Sequence, residues 1–328
     1  MSSPIQFPRF CLLDPHGPVM GTAGEVGAMS EVEEMAIEER TEELEEPEKA
    51  LAEGELAEPE LEEAVEPEFK EPPKPSYFRL KIASAKEFAN LLKAVAVLAD
   101  EPTIIFTEDG LRIRSMDTSK IAMVDFFIGR SVFNEYEVDG SESRICVSLP
   151  DLLRLLRKVK KGETAELALD EATGRVKLTL RGKYTRSFTI PRLEFASEVP
   201  PELRLALTAR AVLDANELKK AVEEVSLIGD FVKLTVDDNG LILDAESDVS
   251  SAKIEFSRAC DATIDLEAKE LTKAVYDAGY LAKLLKVRTA LADVVEVRLA
   301  MDKPLKLEFK LPYDATLVYW LAPRVDVE

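Results

Sequence analysis

Apolar and polar positions follow the same order twice along this 328-residue chain. Residues 85–128 align with residues 215–258 without a gap, at a constant offset of 130 positions. In each segment an apolar stripe at helical spacing precedes an acidic residue, a turn that contains glycine (Gly110 or Gly240) and runs of alternating polarity. The repeat predicts two copies of one domain, and such a duplication usually builds a shared surface rather than a single catalytic pocket.

Each copy is predicted to contain two helices and several short strands. Ser84 with Glu87 three residues later has the spacing of a capping box, and an apolar helical stripe follows it. The predicted helices run from the Ser84 cap to Leu98, and over Leu149–Lys161, Asp214–Ile228 and Ala278–Val287. Strand-like segments of period two surround them. The predicted fold class is therefore α+β, with the helices together on one face of antiparallel sheets.

Charge and proline content divide the chain into segments. Residues 1–75 hold 21 Asp and Glu against 5 Lys and Arg, whereas the remainder holds 42 against 37. Low hydrophobicity and like-charge repulsion predict a disordered acidic N-terminal tail over residues 1–75. Domains are predicted over residues 76–190 and 207–328, with a polar, proline-bearing connector over residues 191–206. Two interpretations of the tail stay open. It is a solubilising extension, or even an artefact of an upstream start codon; alternatively, it shields a basic surface from nonspecific DNA.

Sequence patterns for catalysis and metal binding are absent. The single histidine, His16, lies in the predicted tail, and three widely spaced cysteines form no disulfide framework or zinc pattern. No nucleophile elbow, phosphate-binding loop or HExxH pattern occurs. Asp109, Asp237 and Asp238 lie in predicted hairpin turns, where aspartate is favoured for conformational reasons. We therefore expect no catalytic residue, no metal and no cofactor.

The chain is also expected to be soluble and intracellular, without a membrane partner. No apolar run approaches the roughly 18 residues that a membrane-spanning helix needs. The N-terminus lacks the pattern of a signal peptide.

Basic residues mark the polar faces of the predicted helices. In the second helix they recur at i, i+3, i+4 and i+7, while the third helix is weaker because Glu223 and Glu224 stand beside its lysines. The basic positions are Lys86, Lys93, Arg154, Arg157, Lys158, Lys161, Lys220, Lys283, Lys286 and Arg288. A solvated face is the alternative for any single helix. Several such helices in a duplicated domain favour sequence-independent contact with the phosphates of duplex DNA.

Three motifs resemble sliding DNA clamps of the proliferating cell nuclear antigen (PCNA) family, especially archaeal members. They are Met116-Asp-Thr-Ser-Lys-Ile-Ala-Met123, Ser226-Leu-Ile-Gly-Asp230 and Leu321-Ala-Pro-Arg-Val325. The resemblance spans about residues 77–328. It implies a ring of three subunits with two like domains each, in which sheets form the outer wall and the basic helices line a hole for DNA. Glu223 departs from the family, in which some relatives carry a basic residue.

The resemblance also implies an apolar pocket for short partner peptides beneath the connector. Its implied lining is Met116, Ile121, Met123, Val199, Pro200, Pro304, Trp320, Ala322 and Pro323. Trp320 stands where the family usually carries tyrosine. Subunit contacts are implied at strand edges near Tyr184 to Phe188 and Lys253 to Arg258.

The implied function is that of a non-enzymatic processivity factor for DNA replication and repair. The ring would encircle double-stranded DNA without sequence specificity, be opened by a clamp loader, and tether DNA polymerase, flap endonuclease and DNA ligase. Two alternatives stay open: a subunit of a heterotrimeric or checkpoint-type clamp, and a metal-dependent DNA-acting enzyme built on Asp109, Asp237 and Asp238. We expect a cytoplasmic, nucleoid-associated protein in an archaeon, or a nuclear one in a eukaryote.

Overall fold

The structure, a computed structural model, describes residues 77–194, 198–286, 292–312 and 314–324. The predicted acidic tail over residues 1–75 and the candidate DNA contact Arg288 lie outside the described residues. The first half contains β1 (Phe78–Ile82), α1 (Ala85–Val95), β2 (Thr103–Thr107), β3 (Gly110–Met116), β4 (Ala122–Gly129), a 3₁₀ turn (Arg130–Val132), β5 (Phe133–Val138), β6 (Glu142–Cys146), α2 (Leu149–Leu156), β7 (Thr164–Asp170), β8 (Arg175–Arg181) and β9 (Thr185–Ile190). The second half contains β10 (Ala209–Asp214), α3 (Ala215–Val225), β11 (Phe231–Val236), β12 (Gly240–Glu246), β13 (Ser251–Ser257), β14 (Thr263–Ala268), β15 (Thr272–Asp277), α4 (Ala278–Leu285), β16 (Val294–Leu299), β17 (Leu305–Lys310) and β18 (Thr316–Leu321).

The described strands form three antiparallel sheets. One has the order β5-β1-β7-β8-β9 and lies within the first half, and another has the order β13-β12-β11-β15 and lies within the second. The third has the order β14-β10-β16-β17-β18-β4-β3-β2-β6 and contains strands of both halves. The halves are therefore joined through the pairing of β18 with β4.

The structure confirms the duplication and the α+β class. α1 and α3 begin and end 130 positions apart, and β3 and β12 both begin at a glycine with the same offset. The prediction of a gapless repeat through residue 128 was wrong beyond β3: six residues separate the paired Met116 and Met123 but only four separate the paired Glu246 and Ser251, so β4 and β13 correspond with an offset of 128. A Cβ atom would lie 2.1 Å from the Ile128 carbonyl oxygen if added to Gly110, and 2.5 Å from the Phe256 carbonyl oxygen if added to Gly240. Each hairpin therefore requires glycine where the neighbouring strand passes closest.

The starts of the helices agree with prediction, but all four ends come earlier. Ser84 Oγ accepts a 3.3 Å hydrogen bond from Glu87 N, as the predicted cap requires. α1 ends at Val95 instead of Leu98, α2 at Leu156 instead of Lys161, and α3 at Val225 instead of Ile228. α4 ends at Leu285, and the predicted end Val287 lies outside the described residues. After α1 and α3 the chain makes tighter bonds to the residue three positions back, so apolar spacing continues beyond the last α-helical turn.

The helices pack in pairs, α1 with α2 and α3 with α4. Their apolar stripes are buried; Phe88, Leu92 and Val95 of α1, for example, are at most 1% exposed. This burial leaves the polar side of each helix for solvent or a partner. Among the described residues, no helix has the length and apolar content that crossing a membrane requires.

Candidate DNA-facing helices and partner cleft

The cations predicted on α1 are placed on its exposed face. Lys86 and Lys93 are exposed, whereas the apolar stripe on the opposite side is buried. Lys93 Nζ donates a 3.1 Å hydrogen bond to Asn90 Oδ1. The ammonium groups thus remain at the surface, where both can reach a phosphate.

The basic ridge predicted on the second helix continues beyond it. Arg154 lies in the last turn of α2, Arg157 is the C-cap residue, and Lys158 and Lys161 follow the helix in turns. All four are exposed, but they do not share one helical face as predicted. Arg154 Nη2 lies 2.9 Å from Asp151 Oδ1 in an exposed ion pair, which a phosphate could replace at little cost.

The cations of the second half differ between its two helices. On α3, Lys220 Nζ lies 2.7 Å from Glu217 Oε1, and Lys219 Nζ lies 3.5 Å from Glu223 Oε1. These local pairs agree with the weaker basic character predicted for this helix. On α4, Lys283 and the C-cap residue Lys286 are exposed.

The predicted partner cleft lies on a row of residues across neighbouring strands. Met116 of β3 lies opposite Met123 of β4, which in turn lies opposite Trp320 of β18. Lys306 of β17 continues the row beside Trp320. Directly opposed residues share a face of an antiparallel sheet. The row therefore forms one apolar strip that ends in a cation, with Lys306 Nζ 5.9 Å from the Trp320 ring centroid.

Depth varies along this strip. Met123 and Trp320 are 3% and 7% exposed and form its floor, whereas Met116 and Ile121 are 39% and 38% exposed and stand at its mouth. Ala322 N donates a 2.8 Å hydrogen bond to the Ile121 carbonyl oxygen, which brings the C-terminal segment to the same place. The remaining predicted lining residues are half-buried: Val199, Pro200, Pro304, Ala322 and Pro323.

An ion pair beside the strip holds the connector. Arg114 Nη2 and Nε lie 2.6 and 2.9 Å from Asp125 Oδ2, and Arg114 Nη1 donates to the Pro200 carbonyl oxygen at 3.4 Å. Arg112 approaches the same carboxylate at 3.5 Å. Sequence reasoning missed the bond from Arg114 to the connector, because Arg114 and Pro200 are 86 positions apart.

The loop between β3 and β4 is organised by Asp117. Its Oδ1 accepts hydrogen bonds from Ile121 N at 2.9 Å and Ala122 N at 2.7 Å, and its Oδ2 accepts one from Ser119 N at 3.2 Å. Burial of the carboxyl disfavours its charged form, but these bonds and one from the Tyr280 hydroxyl outweigh burial and lower the pKa of Asp117. The loop is thus built around a buried carboxylate.

One of the three carboxylates proposed for an enzyme, that of Asp237, has a structural use in its turn. Asp237 Oδ1 accepts hydrogen bonds from Asn239 N at 2.8 Å and Gly240 N at 3.0 Å, and these bonds lower the pKa of Asp237. Within residues 77–194, 198–286, 292–312 and 314–324, no three His, Cys, Asp or Glu side chains are grouped to hold a metal ion.

Comparison with known proteins agrees with this geometry. The family models for the N-terminal and C-terminal domains of proliferating cell nuclear antigen match residues 77–194 and 204–324. DNA polymerase sliding clamp 1 of Pyrobaculum aerophilum is 32% identical over 247 residues, which are 75% of this chain and 98% of the relative. The chain belongs to the PCNA family.

Solved PCNA structures share the fold. The PCNA2–PCNA3 complex of Sulfolobus tokodaii contains a chain that aligns with a TM-score of 0.67 and 30% identity, over 75% of this chain and 99% of that one. A structure of the C-terminal region of FEN-1 bound to A. fulgidus PCNA aligns with a TM-score of 0.66 and 24% identity, over 76% of this chain and 100% of that one.

Two sheet edges of this PCNA-family chain coincide with the predicted subunit contacts. The segment Tyr184 to Phe188 overlaps β9, which begins at Thr185, and the segment Lys253 to Arg258 overlaps β13, which ends at Ser257. Each strand is the last in its sheet among the described strands. Each therefore has main-chain groups to offer to another strand.

Proposed function

We propose that this protein is a DNA polymerase sliding clamp, a ring of three copies that surrounds duplex DNA and tethers replication and repair enzymes. The chain itself performs no catalysis; DNA polymerase, flap endonuclease and DNA ligase bring the chemistry, and a clamp loader opens the ring. The observation that carries this proposal is the junction inside the chain, where β18 pairs with β4.

Each half also contains a strand that is equivalent to one of the two junction strands but lies at the edge of its sheet among the described strands. The nine-stranded sheet consists of five strands from the second half and four from the first. The equivalent five-stranded sheet ends at β9, and the equivalent four-stranded sheet ends at β13. By the duplication, β9 corresponds to β18 and β13 corresponds to β4. Pairing β9 of one copy with β13 of the next repeats the internal junction, and such head-to-tail contacts generate a ring when the rotation closes.

Burial of the matched side chains supports this pairing. Tyr319 of β18 and Phe126 of β4 lie on the two strands that pair at the internal junction, and both are fully buried. Their counterparts Phe188 in β9 and Ile254 in β13 are only partly buried although they pack against the core. Apolar side chains left half covered at a sheet edge are stabilised by a partner strand that completes their burial.

The internal register also predicts the register between copies. Thr185 and Thr316 are the first residues of β9 and β18 after equivalent hairpins. Counting from the equivalent glycines at the start of β3 and β12, Phe127 corresponds to Glu255. Because Thr316 lies opposite Phe127, Thr185 of one copy is expected opposite Glu255 of the next.

Cysteine cross-linking tests the ring and its register together. Directly opposed residues have Cβ atoms about 4.5–5.5 Å apart, against about 7–8 Å for diagonal neighbours. Thr185→Cys with Glu255→Cys should therefore give a covalent trimer under mild oxidation. Thr185→Cys with Lys253→Cys, two residues out of register, is the matched control. Equal cross-linking of both pairs would contradict the register, and a monomeric mass for the native chain would contradict the ring.

Duplex DNA is proposed to pass through the ring beside the exposed cations of the helices. Lys86, Lys93, Arg157, Lys283 and Lys286 are exposed and can neutralise phosphates without reading bases. A closed ring retains DNA by topology, so weak and exchangeable contacts favour sliding. The proposed place of action is accordingly the chromosomal DNA.

Partner enzymes are proposed to dock through short peptides that place an apolar side chain on the strip formed by Met116, Met123 and Trp320. Trp320 is the only tryptophan of the chain, so its fluorescence reports occupation of the cleft. A peptide from the C-terminal region of FEN-1 is a suitable probe, because that region is bound to A. fulgidus PCNA. Ile121→Glu, at the exposed mouth, should abolish binding while the oligomer keeps its mass. Unchanged peptide affinity in this variant would reject the cleft.

A subunit of a heterotrimeric clamp is the second candidate, since a chain of the Sulfolobus tokodaii PCNA2–PCNA3 complex is 30% identical to this one. The native mass distinguishes the two. A stable homotrimer supports the first proposal, whereas a monomer that assembles only with other clamp chains supports the second.

A further inference from the structure

A single carboxylate links the two halves of the chain beside the partner cleft. Asp117 Oδ2 accepts a 2.7 Å hydrogen bond from the hydroxyl of Tyr280, which lies 163 positions away on α4. Asp117 is 8% exposed, so this bond is largely shielded from water. A hydrogen bond from a hydroxyl to a shielded carboxylate is among the stronger ones that a neutral side chain can make.

The carboxylate is also what holds the loop in shape. Three backbone N–H groups of the loop point at it, those of Ser119, Ile121 and Ala122. Lys120 adopts φ of +57°, in the left-handed region that a residue with a side chain enters only at a cost. Hydrogen bonds on both sides of Lys120 offset that cost, so the turn depends on where Asp117 is held.

The mouth of the cleft is part of the same loop. Met116 immediately precedes Asp117 in the chain, and the N–H group of Ile121 donates a hydrogen bond to the Asp117 carboxylate. The Ile121 carbonyl oxygen accepts the hydrogen bond from Ala322 N, so the position of the C-terminal segment at Ala322 depends on the position of the loop. Movement of Asp117 would therefore displace both exposed apolar side chains of the cleft.

Tyr280 is well suited to hold this carboxylate. It lies in the first turn of α4, where its N–H donates a 2.7 Å hydrogen bond to Oδ1 of the capping residue Asp277. Lys283, one turn later, places its Nζ 5.9 Å from the Tyr280 ring centroid. A side chain fixed on a capped helix positions its hydroxyl more firmly than one on a loop.

We propose that Tyr280 is a positioning residue of the partner cleft: through Asp117 it holds Met116 and Ile121 where they accept an apolar peptide side chain. The proposal rests on the peptide-docking function above and adds to it a residue that lines no part of the cleft. The shape of the cleft thus depends on α4, the helix that also carries the proposed DNA contacts Lys283 and Lys286.

The test is a double-mutant cycle in peptide affinity, read from Trp320 fluorescence with the FEN-1 C-terminal peptide. Tyr280→Phe removes only the hydroxyl and should weaken binding roughly tenfold, because the loop loses a hydrogen bond to a charged group and its two apolar side chains are held less firmly. Asp117→Asn keeps an oxygen for the Ile121 and Ala122 N–H groups, but it removes the charge and puts an NH2 group where Oδ2 accepted from Ser119 N and the Tyr280 hydroxyl. In that background Tyr280→Phe should have a smaller effect than in the unmodified chain, because its bond to Asp117 is already altered; its hydroxyl also hydrogen-bonds the Ser119 side chain of the same loop.

Tyr319→Phe is the matched control. It deletes another hydroxyl bond between distant segments, 2.6 Å to the Ala94 carbonyl oxygen, away from the loop. This variant should lower the melting temperature yet bind the peptide as the unmodified chain does. The proposal is overturned if Tyr280→Phe binds normally, if Tyr319→Phe is weakened equally, or if the effects of Tyr280→Phe and Asp117→Asn add. An unmodified chain that binds no peptide would instead contradict the proposed docking function.

Discussion

The ion pair beneath the connector allows a quantitative test with two arginines on one carboxylate. Arg114 and Arg112 both approach Asp125, but their surroundings differ. The Arg114 side chain is 10% exposed and makes contacts of 2.6 and 2.9 Å, whereas that of Arg112 is 40% exposed and lies at 3.5 Å. Replacing each arginine by methionine keeps the apolar stem and removes the charge.

The expected costs follow from these contacts. Arg114→Met breaks two short charge-assisted bonds and the bond to the Pro200 carbonyl oxygen. Among the described residues it leaves Asp125, whose side chain is 17% exposed, with the more distant Arg112 as its remaining ion-pair partner. We expect a loss of about 2–3 kcal/mol in the free energy of unfolding. Arg112→Met breaks a long, exposed pair and should cost about 0–1 kcal/mol.

Scanning calorimetry at one protein concentration measures the difference, because the melting temperature of an oligomer depends on concentration. With about 2–4 °C per kcal/mol, Arg114→Met should lower the melting temperature by roughly 4–12 °C and Arg112→Met by at most about 4 °C. Arg114→Met should also weaken peptide binding, because its guanidinium holds the connector. Equal shifts in melting temperature for the two variants would refute the claim that shielding from water and short bonds, rather than charge alone, make the Arg114–Asp125 pair stabilising.

Three further outcomes are expected. Gly110→Ala should destabilise the chain strongly because its Cβ would meet the Ile128 carbonyl oxygen at 2.1 Å, and chemical denaturation measures the loss. Arg157→Glu with Lys158→Glu should flatten the dependence of DNA affinity on salt, by up to about 2 in the log–log slope for each chain that touches the duplex. The stabilisation by Asp117 should be complete above the unfolded pKa of about 3.9 and should be lost as pH falls through its lower folded pKa, as acid titration of unfolding can follow.

Each of these outcomes has a control. A Cβ at Gly129 would meet nothing closer than 3.7 Å, so Gly129→Ala should be tolerated far better than Gly110→Ala. Lys177 is exposed and alternates with buried residues of β8, which places it on the sheet face away from the helices; Lys177→Glu should leave the salt slope unchanged. Asp117→Asn should reduce the acid sensitivity of stability below about pH 4. A Gly129→Ala loss equal to that of Gly110→Ala, or a flattened slope for Lys177→Glu, would contradict the respective argument.

Local patterns predicted the parts of the fold that depend on nearby residues. The offset of 130 positions located both α1 and α3, and the Ser84 cap fixed the start of α1. The ends of helices were predicted too late, because apolar spacing continues through the tighter turns that follow them. The prediction of a basic ridge on the second helix contained the same error, because Lys158 and Lys161 keep helical spacing in the sequence although α2 ends at Leu156.

Features that depend on strand pairing could not be read from the sequence. The nine proposed lining residues came from family resemblance, and only the register of four neighbouring strands shows that Met123 and Trp320 form a buried floor. The bond between Tyr280 and Asp117 has no local signature at all, because each residue has an ordinary role in its own segment. Contacts over such separations are decided by packing of the whole chain.

The central claim is that the ring holds DNA by enclosing it, and retention on DNA of two topologies tests that claim most directly. The protein is loaded by a clamp loader onto covalently closed circular DNA, and its lifetime on that circle is compared with the lifetime after a restriction enzyme has made a single double-strand cut. Enclosure predicts long retention on the circle and rapid loss from the cut molecule at the same salt concentration. Equal lifetimes on both would contradict the account.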